Sequence, residues 1–146
     1  MDGLLAIHSI PHVHQRPQVL MGSRILVCGG REWSGDPSVL FGRVIRQGDT
    51  IVRGDARGAD KTVGDYAEAN GYIVEKHPAD WNRYGKRAGY VRNQEMLDTG
   101  VDMVLALPGG KGTEMMKTLA RRAGVLVIEY NFCPKCGDEL TQGEQQ

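Results

Sequence analysis

The stretch that decides the fold is Met103-Val104-Leu105-Ala106-Leu107-Pro108-Gly109-Gly110-Lys111-Gly112-Thr113. Its opening apolar run predicts a buried strand, and Pro108 with the glycines behind it predicts an abrupt turn. Downstream, Met116, Leu119, Ala120 and Ala123 recur at offsets of 3, 4 and 7 residues, one face of a helix that Gly124 should end. Val125 to Ile128 then returns to strand character. A strand, a crossover helix and a second strand imply parallel pairing, because parallel neighbours need a long connection.

The same alternation extends upstream. Ile25 to Cys28 is the first strand, stopped by Gly29-Gly30. A helix is predicted from about Pro37 to Gln47, with Asp36 as N-cap, Pro37 at the first helical position and Gly48 past the end. Thr50 to Arg53 is the second strand. A helix from about Asp60 to Asn70 then carries Val63, Tyr66 and Ala67 on one face and stops at Gly71. Tyr72 to Glu75 is the third strand, His77 to Lys86 has loop chemistry, and a helix from about Arg87 to Thr99 closes at Gly100. Apolar strands separated by helices belong in a sheet covered on both faces. The fold class is therefore α/β, a Rossmann-like three-layer sandwich with a mainly parallel sheet of about five strands. The domain is placed at residues 24–130, behind an aperiodic N-terminal arm at 1–23 and ahead of a tail at 131–146.

A chain of 146 residues fits one domain. Eighteen Lys and Arg balance eighteen Asp and Glu, which removes the general electrostatic case for a nucleic-acid binder, so affinity for an anion must come from local placement. Twenty glycines exceed the ordinary share of about 7% and point to tight backbone geometry. No apolar run approaches the roughly 18 residues of a membrane span, and no basic start with an apolar stretch opens the chain. A cytoplasmic protein without membrane contact is expected, and nothing suggests a redox cofactor.

In a parallel α/β sheet, ligands bind beyond the carboxyl ends of the strands. Three unusual polar segments follow strands and would converge there: Gly29-Gly30-Arg31, Gly54-Asp55-Ala56-Arg57-Gly58-Ala59-Asp60, and Gly109-Gly110-Lys111-Gly112-Thr113. The last has the mechanics of an anion cradle, with glycines that admit close approach and a helix N-terminus that offers free N–H groups. The alternative is that these glycines only make a tight turn. The loop lacks the Gly-Lys-Ser/Thr ending of a Walker loop, and no G-x-G-x-x-G follows the first strand, so ATP hydrolysis by that machinery is not expected. On the helix after the loop at His77 to Lys86, Arg92 and Asn93 occupy positions where an apolar stripe would otherwise lie. Asp80-Trp81 offers a carboxylate and an aromatic surface for a sugar or base, or else a core tryptophan. Cys28 fits a small core residue.

The ordered set Gly29-Gly30-Arg31, Gly54 to Asp60, Ala79-Asp80-Trp81, Gly85 with Ala88-Gly89, Arg92-Asn93 with Met96, and Pro108 to Thr113 resembles the YspA-like branch of the SLOG superfamily over about Arg24 to Glu129. The resemblance implies a Rossmann-like fold that binds nucleotides or nucleotide-derived signals, with LOG phosphoribohydrolases and the DNA-processing protein DprA as relatives. It also implies a phage or bacterial conflict setting. LOG hydrolases place a glutamate shortly after their Pro-Gly-Gly-x-Gly-Thr loop for cleavage of an N-glycosidic bond. This chain has Met115 there, and Glu114, one position early, is turned by about 100° on a helix. A thioether can neither stabilise positive charge on a ribose nor activate water.

The expected function is thus binding of a nucleotide-derived small molecule, as a sensor or sequestering protein. Gly109 to Thr113 would hold phosphate, Arg31, Arg57 and Arg92 would neutralise it, and Asp80, Trp81 and Asn93 would recognise sugar or base. A LOG-like hydrolase using Asp55, Asp60 or Asp80 is the alternative, and a DprA-like single-strand DNA binder is disfavoured by the neutral charge. Cys133-Pro134-Lys135-Cys136 forms half of a zinc ribbon, two of four tetrahedral ligands. A structural zinc would need His8, His12 or His14, or a second subunit in a homo-oligomer, to complete it.

Overall fold

β1 (Arg24–Cys28) and β4 (Met103–Ala106) read RILVC and MVLA, without the polar alternation of a one-sided strand, and their residues are buried almost throughout. The computed structural model, which describes residues 22–131, places them side by side at the centre of a five-stranded sheet. β2 (Thr50–Gly54) and β3 (Ile73–His77) extend it on one side and β5 (Leu126–Glu129) on the other, giving the order β3-β2-β1-β4-β5. Every pairing is parallel.

The register sets Ile25 beside Ile51 and Met103, and Leu26 beside Val52 and Val104, so alternate residues feed two separate cores. Ile25, Val27, Ile51 and Leu105 pack with Val63 and Ala67 of α1 (Ala59–Ala69). On the other face, Leu26, Val52 and Val104 pack with Met96 and Leu97 of α2 (Ala88–Asp98) and with Met116, Leu119 and Ala120 of α3 (Lys111–Arg122). Each fully buried aliphatic side chain contributes about 1.5–3 kcal/mol relative to exposure. These contacts make the three layers. The helices end where the sequence indicates, each followed by a glycine at positive φ: Gly71, Gly100 and Gly124.

Two local expectations are corrected. The helix expected from Pro37 to Gln47 is a single 3-10 turn, Pro37–Leu40. Its start agrees with the sequence signals, with Asp36 accepting the Ser38 N–H at 2.9 Å and Pro37 at the first position. It does not propagate because Gly42 adopts φ 96° and its N–H turns back to the Ile45 carbonyl at 2.7 Å. Burial of Leu40 and Ile45, with Phe41 packed on Tyr66 and Tyr72, holds the chain in that shape. The segment from His77 to Lys86 is not all loop: β3 runs through His77, and Trp81–Tyr84 forms one helical turn.

A charged residue lies beneath α1. Arg53 of β2 is 7% exposed, its Nη1 donates to the Gly54 carbonyl at 2.9 Å, and its Nε has no partner. The side chain passes directly under Gly64, where a Cβ would fall 2.2 Å from Nε and 2.6 Å from Cδ. Alanine is ordinarily better than glycine in a helix interior by about 1 kcal/mol. Here Gly64→Ala should instead destabilise by roughly 1–3 kcal/mol through overpacking, as read by urea denaturation. A gain in stability would show that Arg53 is not confined.

Candidate functional site

Strand order reverses at β1: the chain moves outward through β2 and β3, then returns to place β4 on the other side of β1. A crevice at the carboxyl end of the sheet is expected at this reversal. Three loops meet there through glycine. The Gly30 N–H donates to the Pro108 carbonyl at 2.8 Å, and the Ala59 N–H donates to the Gly30 carbonyl at 3.1 Å. A Cβ on Gly29 would lie 2.6 Å from Ala59 Cβ, one on Gly109 would lie 2.6 Å from Gly30 N, and one on Gly58 would lie 2.3 Å from Gly30 O. These glycines let backbone touch backbone. Gly110 and Gly112 differ, since a Cβ on either would meet nothing within 4 Å.

The crevice is a cleft of about 500 Å³ between the N-terminal parts of α2 and α3. Gly110 caps α3 without a side-chain hydrogen bond. The N–H groups of the first turn therefore present their partial positive charge to the cleft, where Gly110, Lys111, Gly112 and Thr113 form one wall. Arg31 stands on the same rim. Met96, Met115 and Met116 supply apolar surface, and Trp81, 53% exposed, flanks them. Glu114 is drawn away to Lys117 at 2.6 Å, and Lys117 also holds Glu129 at 3.1 Å.

Asp60, Arg92 and Asn93 form the polar floor. The Arg92 guanidinium crosses over Gly54, where a Cβ would lie 2.3 Å from Nη1. Its Nε donates to Asn93 Oδ1 at 3.0 Å, and Nη1 donates to Asp55 Oδ1 and the His77 carbonyl, both at 3.2 Å. Asp60 is 7% exposed, and burial pushes its carboxyl up to about 6 against the opposing pull of Arg92, the Ala56 N–H and Arg53. Cys28 also lines the cleft, but burial raises its thiol to about 12, so it is held as the unreactive thiol.

Of the residues singled out in the sequence, Gly29, Gly30, Arg31, Asp60, Trp81, Arg92, Asn93 and Gly110 to Thr113 line this cleft. Five do not. Gly54 lies beneath Arg92, Asp55 partners it, and Gly109 joins the loops. Arg57 reaches Glu32 at 2.7 Å with both side chains exposed. Asp80 caps the turn at Trp81–Tyr84, accepting the Arg83 N–H at 3.0 Å. Sequence reasoning does not pick out Met115 and Met116 as lining, although any helix starting at the glycine loop must present part of its first turns to the same space. Cys133, Cys136 and the N-terminal histidines lie outside the described residues. Among the described residues there is no cluster of three or more metal-ligating side chains, and no helix is long and apolar enough to cross a membrane.

A family model described as the YspA, cpYpsA-related SLOG family matches residues 23–84. The chain is also similar to the Gene 61 protein of Mycobacterium phage D29, at 37% identity over 123 residues that cover 76% of this chain and 98% of the phage protein. No solved structure matches it.

The buried Asp60 carboxyl generates a pH prediction. Its folded value lies above the ordinary carboxylate value near 4, so the folded state holds the proton more tightly between about pH 4 and 6. Stability from this group is full below about pH 4 and is lost as pH rises through about 6, by on the order of 3 kcal/mol. Comparing unfolding free energies of wild type and Asp60→Asn across pH 4 to 7 isolates that contribution from the other carboxylates. Parallel pH profiles would show that Asp60 does not titrate there.

Proposed function

This chain belongs to the YspA, cpYpsA-related SLOG family, and on that footing we propose that its cleft binds a nucleotide or nucleotide-derived signal without cleaving it. The observation that carries this reading is the uncapped start of α3 beside two glycines whose α-carbons face open space. Such an N-terminus accommodates a phosphate through its backbone N–H groups and dipole. Lys111 and Arg31 supply exposed positive charge at the rim, and Trp81 with the methionine wall supplies a surface for a flat base. Arg57 has no part in this reading, because it pairs with Glu32.

The absence of cleavage rests on the first turns of α3, which turn Met115 and Met116 toward the cleft while Glu114 is tied to Lys117. A specific observation favours hydrolysis as a second reading. Of Asp55, Asp60 and Asp80, Asp60 alone lines the cleft, with its carboxyl raised to about 6. A sensor or sequestering role, which needs binding without turnover, is the form this reading takes.

Gly110 has a negative φ, −102°, and a Cβ built on it would meet nothing within 4 Å. Gly110→Val should therefore keep the fold and melting temperature while lowering nucleotide affinity at least a hundredfold by calorimetry. Unchanged affinity would remove the phosphate loop from the site. Incubation with nucleoside monophosphates should release no ribose phosphate; turnover that disappears in Asp60→Asn would replace the binding reading with the hydrolytic one. A native mass spectrum of the purified protein also tests for copurified nucleotide, for zinc on Cys133 and Cys136, and for subunit number.

A further inference from the structure

The polar floor of the cleft carries more hydrogen-bonding capacity than the protein uses. Asn93 is 7% exposed, and its Oδ1 accepts from Arg92 Nε at 3.0 Å, which fixes the orientation of the amide. Its Nδ2 has no partner among the described residues, and the side chain lines the cleft. Asp60, equally buried, receives only the Ala56 N–H, at 3.4 Å to Oδ2. Arg92 commits Nη1 to Asp55 and to the His77 carbonyl, leaving Asp60 Oδ1 without a hydrogen bond. On two largely buried side chains, a donor and an acceptor are thus both open to a molecule in the cleft, which would replace solvent on them.

We infer that Asp60 and Asn93 read the hydroxyl groups of the ligand's ribose, so that the cleft selects ribonucleotides over 2′-deoxyribonucleotides. This rests on the nucleotide reading and assigns its middle portion. A vicinal diol donates two protons and accepts through its oxygens, which matches a carboxylate beside an amide N–H₂. Phosphate is excluded from this floor by the Asp60 charge. Position favours the sugar over the base. Asp60 follows Ala59, whose N–H bonds the Gly30 carbonyl, and Gly30 bonds Pro108 at the entrance to the glycine loop. The floor therefore adjoins the proposed phosphate wall, and in a nucleotide the group next to phosphate is the sugar.

Titration calorimetry with adenosine and guanosine 5′-monophosphates and their 2′-deoxy counterparts tests this. For each base, wild type should bind the ribonucleotide at least tenfold more tightly than the deoxynucleotide, and Asp60→Asn and Asn93→Ala should each bring the ratio within threefold. In both variants the ribonucleotide affinities should fall further than those of the deoxynucleotides, which keep only the 3′-hydroxyl. Circular dichroism checks folding; if Asp60→Asn fails to fold, Asn93→Ala still reads the ratio. Equal affinity for ribo and deoxy forms in wild type, or a preference for guanine over adenine in both sugar series, would overturn the assignment while leaving nucleotide binding intact. If no probe binds to wild type, the nucleotide reading itself fails and takes this assignment with it.

Discussion

One backbone hydrogen bond, from the Gly30 N–H to the Pro108 carbonyl at 2.8 Å, joins the loops after the two central strands. It can form only because the loops approach without side chains between them. Gly29 is wedged against Ala59 and Leu107, and Gly109 lies against Gly30. With those contacts the carboxyl ends of β1 and β4 are held together, α1 is drawn in through the Gly30 carbonyl, and α3 starts at a fixed place over the sheet. The cleft is the space left outside this junction. Its rigidity comes from packed backbone, and its chemistry comes from the residues just beyond the junction.

The sequence conveys the central strands and the long helices well because their signals are redundant. In α3, for example, the spacing of Met116, Leu119 and Ala120 and the glycine after the end agree. The segment after Asp36 shows how a correct local signal can be overridden. Its cap and proline start a turn, but Gly42 and the burial of Leu40, Ile45 and Phe41 decide the path of the chain beyond it. Which glycines face open space and which face another loop is not encoded in their identity. Gly109 and Gly110 are neighbours in sequence, yet a Cβ on the first collides with Thr113 and Gly30 and one on the second meets nothing. The same limit applies to charge. Arg57 and Arg92 are both arginines near the rim, and only their three-dimensional neighbours separate an exposed pair with Glu32 from a guanidinium anchored over Gly54.

The placement of Asp60 in the cleft floor costs stability once its carboxyl ionises. Its burial disfavours the charged carboxylate more than Arg92 and Arg53 favour it. Arg53, buried on the α1 side with one nitrogen unmatched, has the complementary difficulty. Arg53 is close enough to lower the Asp60 value, so two buried and incompletely matched charged groups sit near the β2 end beside the cleft. A wholly apolar layer would be steadier, but it would offer nothing to a polar molecule.

Gly110 leaves α3 without the side-chain cap that serine, threonine, aspartate or asparagine would provide, a device worth only a few tenths of a kcal/mol over glycine. A helix start of this kind is incomplete by composition, and an anion seated on its N–H groups would complete it from outside. The same donors cannot serve an internal cap and a visiting phosphate together. A capping residue at this position would therefore act as a built-in competitor, so a sequence tuned for the strongest helix and one tuned for capture of a scarce anion must differ at residue 110.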